Sequence, residues 1–294
     1  MSMQFELQAY KSETKPTWCP GCGDYAVLNA VQHAMTALQL EPWNTLIVSG
    51  IGCSSNLPHF LSTYGFHAIH GRALAVAEGA RLANPDLHII VTGGDGDGYG
   101  IGMGHFVHAI RRNMDLTYIV MNNQIYGLTT GQASPTSELG MKTKSTPVVG
   151  VIENPIDPIA LALSVGATFV ARAFSGDVKL MSDLVKQGIE HKGFSLIDCL
   201  SPCVTYNKLN TYDFFRQRVY DLSKQGHDPT NLDAAFDRAL EWPVKQRDKI
   251  PLGLFYRNDK LPTYEDLEPA YKKGNPVKQP LGLADGDELL KEFL

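Results

Sequence analysis

Up to Leu200, short β-rich apolar runs alternate with stretches of helical periodicity, and this alternation leaves few folds open. Thr45–Val48, Leu87–Thr92, Leu116–Met121, Ala167–Ala171 and Phe194–Leu200 are apolar on both faces, as strands buried on both sides of a sheet must be. Between them, Asp24 can cap a helix in which Val27, Leu28, Val31, Met35 and Leu38 recur at helical spacing. Arg72–Asn84 predicts a second helix, stopped by Asn84-Pro85, and Gly104–Asn113 and Asp177–His191 predict two more. Strand alternating with helix predicts an α/β fold, a parallel sheet with helices on both faces. After Asn207 the character changes. Leu209–Gln225 reads as helical, and the remainder is rich in Pro, Lys, Asp and Glu. The expected division is therefore a core over residues 1–207 and a helical or extended C-terminal appendage over residues 208–294, packed on the core or on a partner chain.

Composition narrows the function classes. The 294 residues are 44% hydrophobic, enough for a sizeable core. A formal net charge of −5 provides no basic surface for nucleic acid or anionic membrane. No apolar run approaches the roughly 20 residues of a membrane helix. Met1–Lys15 is polar and lacks a secretory apolar stretch, so the expected compartment is the cytoplasm. There, the five cysteines read as ligands, redox groups or packing residues rather than disulfides.

The strand Leu87–Thr92 runs into Gly93-Gly94-Asp95-Gly96-Asp97-Gly98-Tyr99-Gly100-Ile101-Gly102. So many glycines let a backbone approach a ligand closely, and a following helix N-terminus favours anions. A tight strand-to-helix turn would use the same residues. No register satisfies the dinucleotide fingerprint, and no P-loop lysine follows. The next strand ends in Asn122-Asn123-Gln124-Ile125-Tyr126-Gly127, which sets carboxamides beside Asp95 at the carboxyl edge of the sheet, where such folds bind ligands. A carboxylate, a carboxamide and a backbone carbonyl form a hard-oxygen set suited to Mg²⁺ that also holds a diphosphate.

Gly94-Asp95-Gly96 followed 28 residues after the aspartate by Asn123 of the Asn122-Asn123 pair resembles the signature of the thiamine diphosphate enzymes. The resemblance implies the thiamine diphosphate-binding fold, in its diphosphate-binding module. It further implies Mg²⁺ ligation by Asp95, Asn123 and the Ile125 carbonyl, with Gly96, Asp97, Gly127 and Leu128 lining the diphosphate.

Cys19-Pro20-Gly21-Cys22 is a Cys-x-x-Cys knuckle, and Cys53 and Cys203 each stand just past a core strand. Spacing alone admits structural zinc, a redox pair or an iron–sulfur cluster. Trp18-Cys19-Pro20-Gly21-Cys22-Gly23, Gly52-Cys53-Ser54-Ser55, Met121–Gly131 and Ser201-Pro202-Cys203, in that order, closely resemble the β subunit of 2-oxoacid:ferredoxin oxidoreductases over Lys15–Asn207. That resemblance implies a 4Fe–4S cluster on Cys19, Cys22, Cys53 and Cys203, and a cofactor pocket that also uses Ile51, Gly52, Cys53, Ser54 and His70. It makes residues 1–207 a thiamine diphosphate- and iron–sulfur-binding core. The implied reaction joins a 2-oxoacid, by preference 2-oxoglutarate, with coenzyme A and oxidised ferredoxin to give acyl-CoA, CO₂ and reduced ferredoxin, or runs in reverse as reductive carboxylation. One signature copy in the chain implies an α subunit that completes the site. Pyruvate or branched 2-oxoacids, a non-redox thiamine-dependent decarboxylase and a zinc-stabilised binding protein are the alternatives.

Strand geometry separates two neighbouring cysteines. Cys199 falls inside the last core strand, as a packing residue would. Pro202 should end that strand by Ser201, which puts Cys203 beyond the carboxyl edge. Thr130, where some relatives carry lysine, is expected near the reacting end of the cofactor, so His70 and Thr130 are the candidate catalytic residues. His105 and His108 read as packing or capping residues, and His33, His88 and His191 as surface or helix-end ones. His59 and His67 stand near the Cys53 loop. Tyr126 and Arg72 could touch cofactor or serve structure.

Overall fold

The computed structural model describes residues 4–245, 248–279 and 290–291. In chain order its main elements are α1 (Asp24–Leu38), β1 (Thr45–Ser49), β2 (Tyr64–His67), α2 (Ala73–Ala83), β3 (His88–Gly94), α3 (Met103–Arg111), β4 (Leu116–Asn122), α4 (Pro158–Val165), β5 (Phe169–Phe174), α5 (Val178–Glu190), β6 (Phe194–Leu200), α6 (Tyr212–Arg216), β7 (Val219–Asp221), α7 (Leu232–Ala239) and β8 (Ile250–Arg257). The strands form one sheet in the order β2-β1-β3-β4-β6-β5-β8-β7. From β2 to β5 every pairing is parallel.

Both faces are covered, which is why the central strands carry no polar face. On one side Val27, Val31 and Met35 of α1 meet Met181, Leu184 and Val185 of α5 over Ile47, Ile90, Ile119 and Ile197. On the other, α2, α3, α4 and α7 contribute Leu74, Phe106, Ile159 and Ala235 above Val91, Tyr118 and Leu196. Among the described residues no helix is long and apolar enough to cross a membrane.

The expected α/β fold is present, with specific corrections. The sheet is mostly rather than wholly parallel, because β8 runs antiparallel to β5 with a bulge at Val170/Ala171. Pro251 and Gly253 within β8 hide this strand from a pattern reading. The region Leu209–Gln225 is not one helix. Thr211 caps the single turn of α6 by accepting from the Phe214 N–H, after which Val219–Asp221 pairs with β8. β2 is exposed along its length, so burial leaves no mark in its sequence. Asp24 does not cap α1 but is its first residue, and its carboxylate accepts from Ser201 Oγ at 2.7 Å instead. His191, expected at a surface or helix end, does end α5 but is buried, bonded to Thr168 and Asp259.

Candidate active site

β1, β3, β4 and β6 are adjacent and parallel, so their following loops all rise from one edge of the sheet. These loops carry Cys53, Asp95, Asn123 and Cys203. The loops after β1, β3 and β4, with the one after β2, enclose a cavity of about 310 Å³ lined by Ile51, Gly52, Cys53, Ser54, His70, Asp95, Gly96, Asp97, Asn123, Ile125, Gly127 and Leu128. Every residue that the sequence assigned to cofactor or magnesium thus borders the same space. Gly94, Met121, Tyr126 and Thr129 complete the wall.

Two carboxylates stand at this cavity. Asp95 is buried, and its carboxyl is pushed up to about 6 by that burial, against the opposing pull of the Ser134 and Thr136 hydroxyls. Asp97 is also raised by burial. Its Oδ1 accepts from the N–H groups of Ile51 at 3.0 Å and Gly71 at 2.7 Å, and lies 3.1 Å from His70 Nδ1. Asp97 therefore ties the loop after β1 to the loop after β2 and draws in the His70 ring, which is 38% exposed. Among the described residues, Ser54 Oγ and Asp97 Oδ2 are buried without a hydrogen-bond partner.

After β4 the chain turns sharply, with Gln124 at φ 58°. Asn123 Oδ1 accepts from the Ile125 N–H at 3.1 Å, and Asn207 Nδ2 donates to the Asn123 carbonyl at 3.0 Å. Of the glycines here, Gly96 is a steric necessity. A Cβ on Gly96 would lie 2.1 Å from the Tyr126 ring, whose hydroxyl donates to the Gly96 carbonyl. A Cβ on Gly127 would lie 3.5 Å from Cys53 Sγ and 3.7 Å from Cys203 Sγ.

Those last distances bring Cys53 and Cys203 to one place beside the cavity. Cys22 joins them: its thiol is raised by burial, by Asp24, and by Cys53 and Cys203. The Cys53 thiol is pushed up to about 12 by burial, Asp24, Cys203 and Cys19 in turn. Trp18 Nε1 donates to the Cys53 carbonyl at 2.7 Å, pinning the knuckle to this loop. Among the described residues no group of three or more His, Cys, Asp or Glu is spaced to hold one metal ion. Cys199 lies wholly buried inside β6, while Cys203, beyond the strand, is 9% exposed.

Thr130 does not line the cavity. It is exposed, at φ 76°, and its hydroxyl accepts from Lys144 Nζ at 2.6 Å. His105 bonds Arg72, away from the lining. His59 and His67 meet edge to face, exposed, on the Cys53 side. Missed by pattern reading were Ser134 and Thr136, whose hydroxyls donate to Asp95 Oδ2 at 2.5 and 2.6 Å. Their clustered hydroxyls after Gly131 were the available signal, but nothing local connects them to an aspartate 40 residues back.

Comparison with known proteins agrees with this geometry. Residues 50–199 match the thiamine pyrophosphate enzyme C-terminal TPP-binding domain, and residues 203–273 match the C-terminal region of the pyruvate ferredoxin oxidoreductase beta subunit. The chain is 46% identical to a 2-oxoacid:ferredoxin oxidoreductase subunit beta of Saccharolobus solfataricus, over 94% of this chain and 95% of that one. It is also 46% identical to the 2-oxoglutarate oxidoreductase subunit KorB of Mycobacterium tuberculosis, over 71% of this chain and 55% of that one. A solved 2-oxoglutarate:ferredoxin oxidoreductase from Magnetococcus marinus, with 2-oxoglutarate, coenzyme A and succinyl-CoA bound, superposes with a TM-score of 0.88. It is 41% identical, with 98% of this chain and 96% of that chain covered.

Proposed function

Because the chain belongs to the β subunits of the 2-oxoacid:ferredoxin oxidoreductases, we propose that its cavity holds thiamine diphosphate on Mg²⁺ and that Cys19, Cys22, Cys53 and Cys203 hold a 4Fe–4S cluster. With an α subunit it converts a 2-oxoacid, coenzyme A and oxidised ferredoxin into acyl-CoA, CO₂ and reduced ferredoxin. One observation carries the reading: a buried carboxylate, Asp95, lines the same cavity as the carboxamide of Asn123 and as Ile125. A diphosphate brought beside Asp95 and Asp97 would be repelled, and a hard divalent cation held by oxygen donors offsets that repulsion.

When bound, the cofactor supplies the nucleophilic carbon and the electron sink for decarboxylation. The chain's residues do the rest. Asp95, Asn123 and the Ile125 carbonyl hold the cation. Gly96, Asp97, Gly127 and Leu128 would border the diphosphate, and a side chain at Gly96 would displace the Tyr126 ring from the cavity wall. Ser54 Oγ, a buried hydroxyl without a partner, suits a polar atom of the cofactor. His70, 3.1 Å from Asp97 and on the cavity wall, would face the substrate as the chain's catalytic histidine. Cys53 and Cys203 stand next to Gly127, so a cluster on the four cysteines would lie beside the cavity and would pass electrons from it to ferredoxin.

Leu128, which lines the cavity, and Leu139, Val148, Val149 and Ile152 further along the segment between β4 and α4 are exposed. Exposed apolar side chains suit a partner subunit, here the α subunit that completes the substrate pocket. For the substrate, the likeness to a protein solved with 2-oxoglutarate bound favours that acid over pyruvate or branched 2-oxoacids. Two measurements test the proposal. The α/β complex should reduce ferredoxin with 2-oxoglutarate and coenzyme A, faster than with pyruvate. The Asp95→Ala complex should retain no thiamine diphosphate, and near-normal content would sink the magnesium assignment.

A further inference from the structure

We infer that Ser134 and Thr136 are positioning residues of the metal site: their hydroxyls hold Asp95 by one carboxylate oxygen and so turn its other oxygen toward the cation. The inference rests on the magnesium assignment proposed above.

Both hydroxyls converge on the same atom. Ser134 Oγ donates to Asp95 Oδ2 at 2.5 Å and Thr136 Oγ1 at 2.6 Å, in a buried setting. A carboxylate gripped twice at Oδ2 can neither flip nor chelate through both oxygens without breaking charge-assisted bonds, so a cation in the cavity meets Oδ1. Thr136 has a single hydroxyl proton and two acceptors within reach. Its Oγ1 also lies 3.0 Å from Asn122 Oδ1, and Asn122 Nδ2 donates to Asp198 Oδ1 at 3.1 Å. The carboxylate of Asp198 demands the NH₂ end of that amide, so the carbonyl end faces Thr136. Between a carbonyl and a nearer carboxylate, the hydroxyl proton goes to the carboxylate.

The same short segment grips the other half of the site. Ser137 Oγ donates to the Gln124 carbonyl at 2.7 Å, Gln124 Nε2 donates to the Thr136 carbonyl at 3.0 Å, and the Ser134 N–H donates to Ser137 Oγ at 2.8 Å. Ser134-Pro135-Thr136-Ser137 is thus a strap across two loop ends, one carrying Asp95 and the other Asn123 and Ile125. Because both sets of bonds come from one strap, the distance between the carboxylate and the carboxamide is set before any cation arrives. Outer-shell partners of this kind commonly change metal affinity by about 10–100-fold when removed.

The test uses the α/β complex stripped of cofactor and metal, then titrated with Mn²⁺ at a fixed, saturating concentration of thiamine diphosphate, free Mn²⁺ being counted by its electron paramagnetic resonance signal. Thr136→Val, which keeps the shape and removes the hydroxyl, should weaken Mn²⁺ binding by about 10–100-fold, while Thr136→Ser should bind close to the parent. Should the valine variant not assemble, Ser134→Ala removes one of the two donors and should shift the titration in the same direction. Asp95→Asn is the reference. Parent-like Mn²⁺ affinity in Thr136→Val and Ser134→Ala, with affinity lost in Asp95→Asn, overturns the inference and leaves the magnesium site standing. An equal loss in Thr136→Ser and Thr136→Val also overturns it, since the hydroxyl would then not be the cause. Parent-like affinity in Asp95→Asn overturns the inference and the magnesium assignment together.

Discussion

Replacing Cys199 or Cys203 by alanine should give two proteins with opposite defects. Cys199 is fully buried within β6 and packs in the core that α1 and α5 cover. Losing its sulfur removes one buried heavy atom, comparable to a methylene at about 0.8 kcal/mol. The void left, roughly 25 Å³, adds about 0.6 kcal/mol at 24 cal/mol per Å³. The total of about 1–2 kcal/mol corresponds to a drop of a few degrees in Tm, with iron content unchanged. Cys203 lies past the strand end, and a Cβ at Gly127 would sit within van der Waals contact of its sulfur and that of Cys53. Its replacement should remove a cluster ligand, leaving iron absent or lost on exposure to air. The assay is iron per β chain and visible absorbance in anaerobically purified α/β complex, beside a thermal melt. Normal iron in Cys203→Ala with iron lost from Cys199→Ala would refute the placement of the cluster at the strand ends.

Two further outcomes follow from the site. Burial lifts the Asp95 carboxyl from its ordinary 3.8 to about 6, so protons compete with Mg²⁺ for it as pH falls through that value. Mg²⁺-dependent reloading of the stripped complex should be full above about pH 7 and weaken by about tenfold per pH unit below 6. From this group alone the cofactor-free fold gains stability between pH 6 and 4, because the folded carboxyl takes up a proton before the unfolded one. Reloading that is flat from pH 7 to 5 would contradict the shift. The chain purified without an α subunit should show no 2-oxoacid-dependent reduction of ferredoxin, and full turnover by the isolated chain would show the cavity to be complete in itself.

The legible parts of this protein are those in which structure is local in sequence. Phe194–Leu200 was readable to the residue because a strand buried on both faces is mostly apolar on both, here interrupted only by Ser195 and Asp198, and Pro202 marks its end. Asp95 and Asn123 were readable because adjacent parallel strands deliver their following residues to one edge. β8 was not, since Pro251 and Gly253 look like breakers and are tolerated only against short β7 and a bulge. Asp24 was misread as a cap because its partner, Ser201, is remote in sequence. The grip of Ser134 and Thr136 on Asp95 is of the same kind, a long-range polar contact that no periodicity records. Thr130 differs: the run that contains it was recognised, but a turn at φ 76° carries its side chain to the surface beside Lys144.

The central claim is that one cavity edge of this chain carries thiamine diphosphate, magnesium and an iron–sulfur cluster together. Metal and cofactor analysis of the anaerobically purified α/β complex, set beside the complex bearing Cys203→Ala, tests it directly. The account predicts one thiamine diphosphate and one magnesium per β chain, and about four iron and four sulfide more in the parent than in the variant. Stoichiometric zinc in the β chain, or an iron content that the variant leaves unchanged, would contradict it.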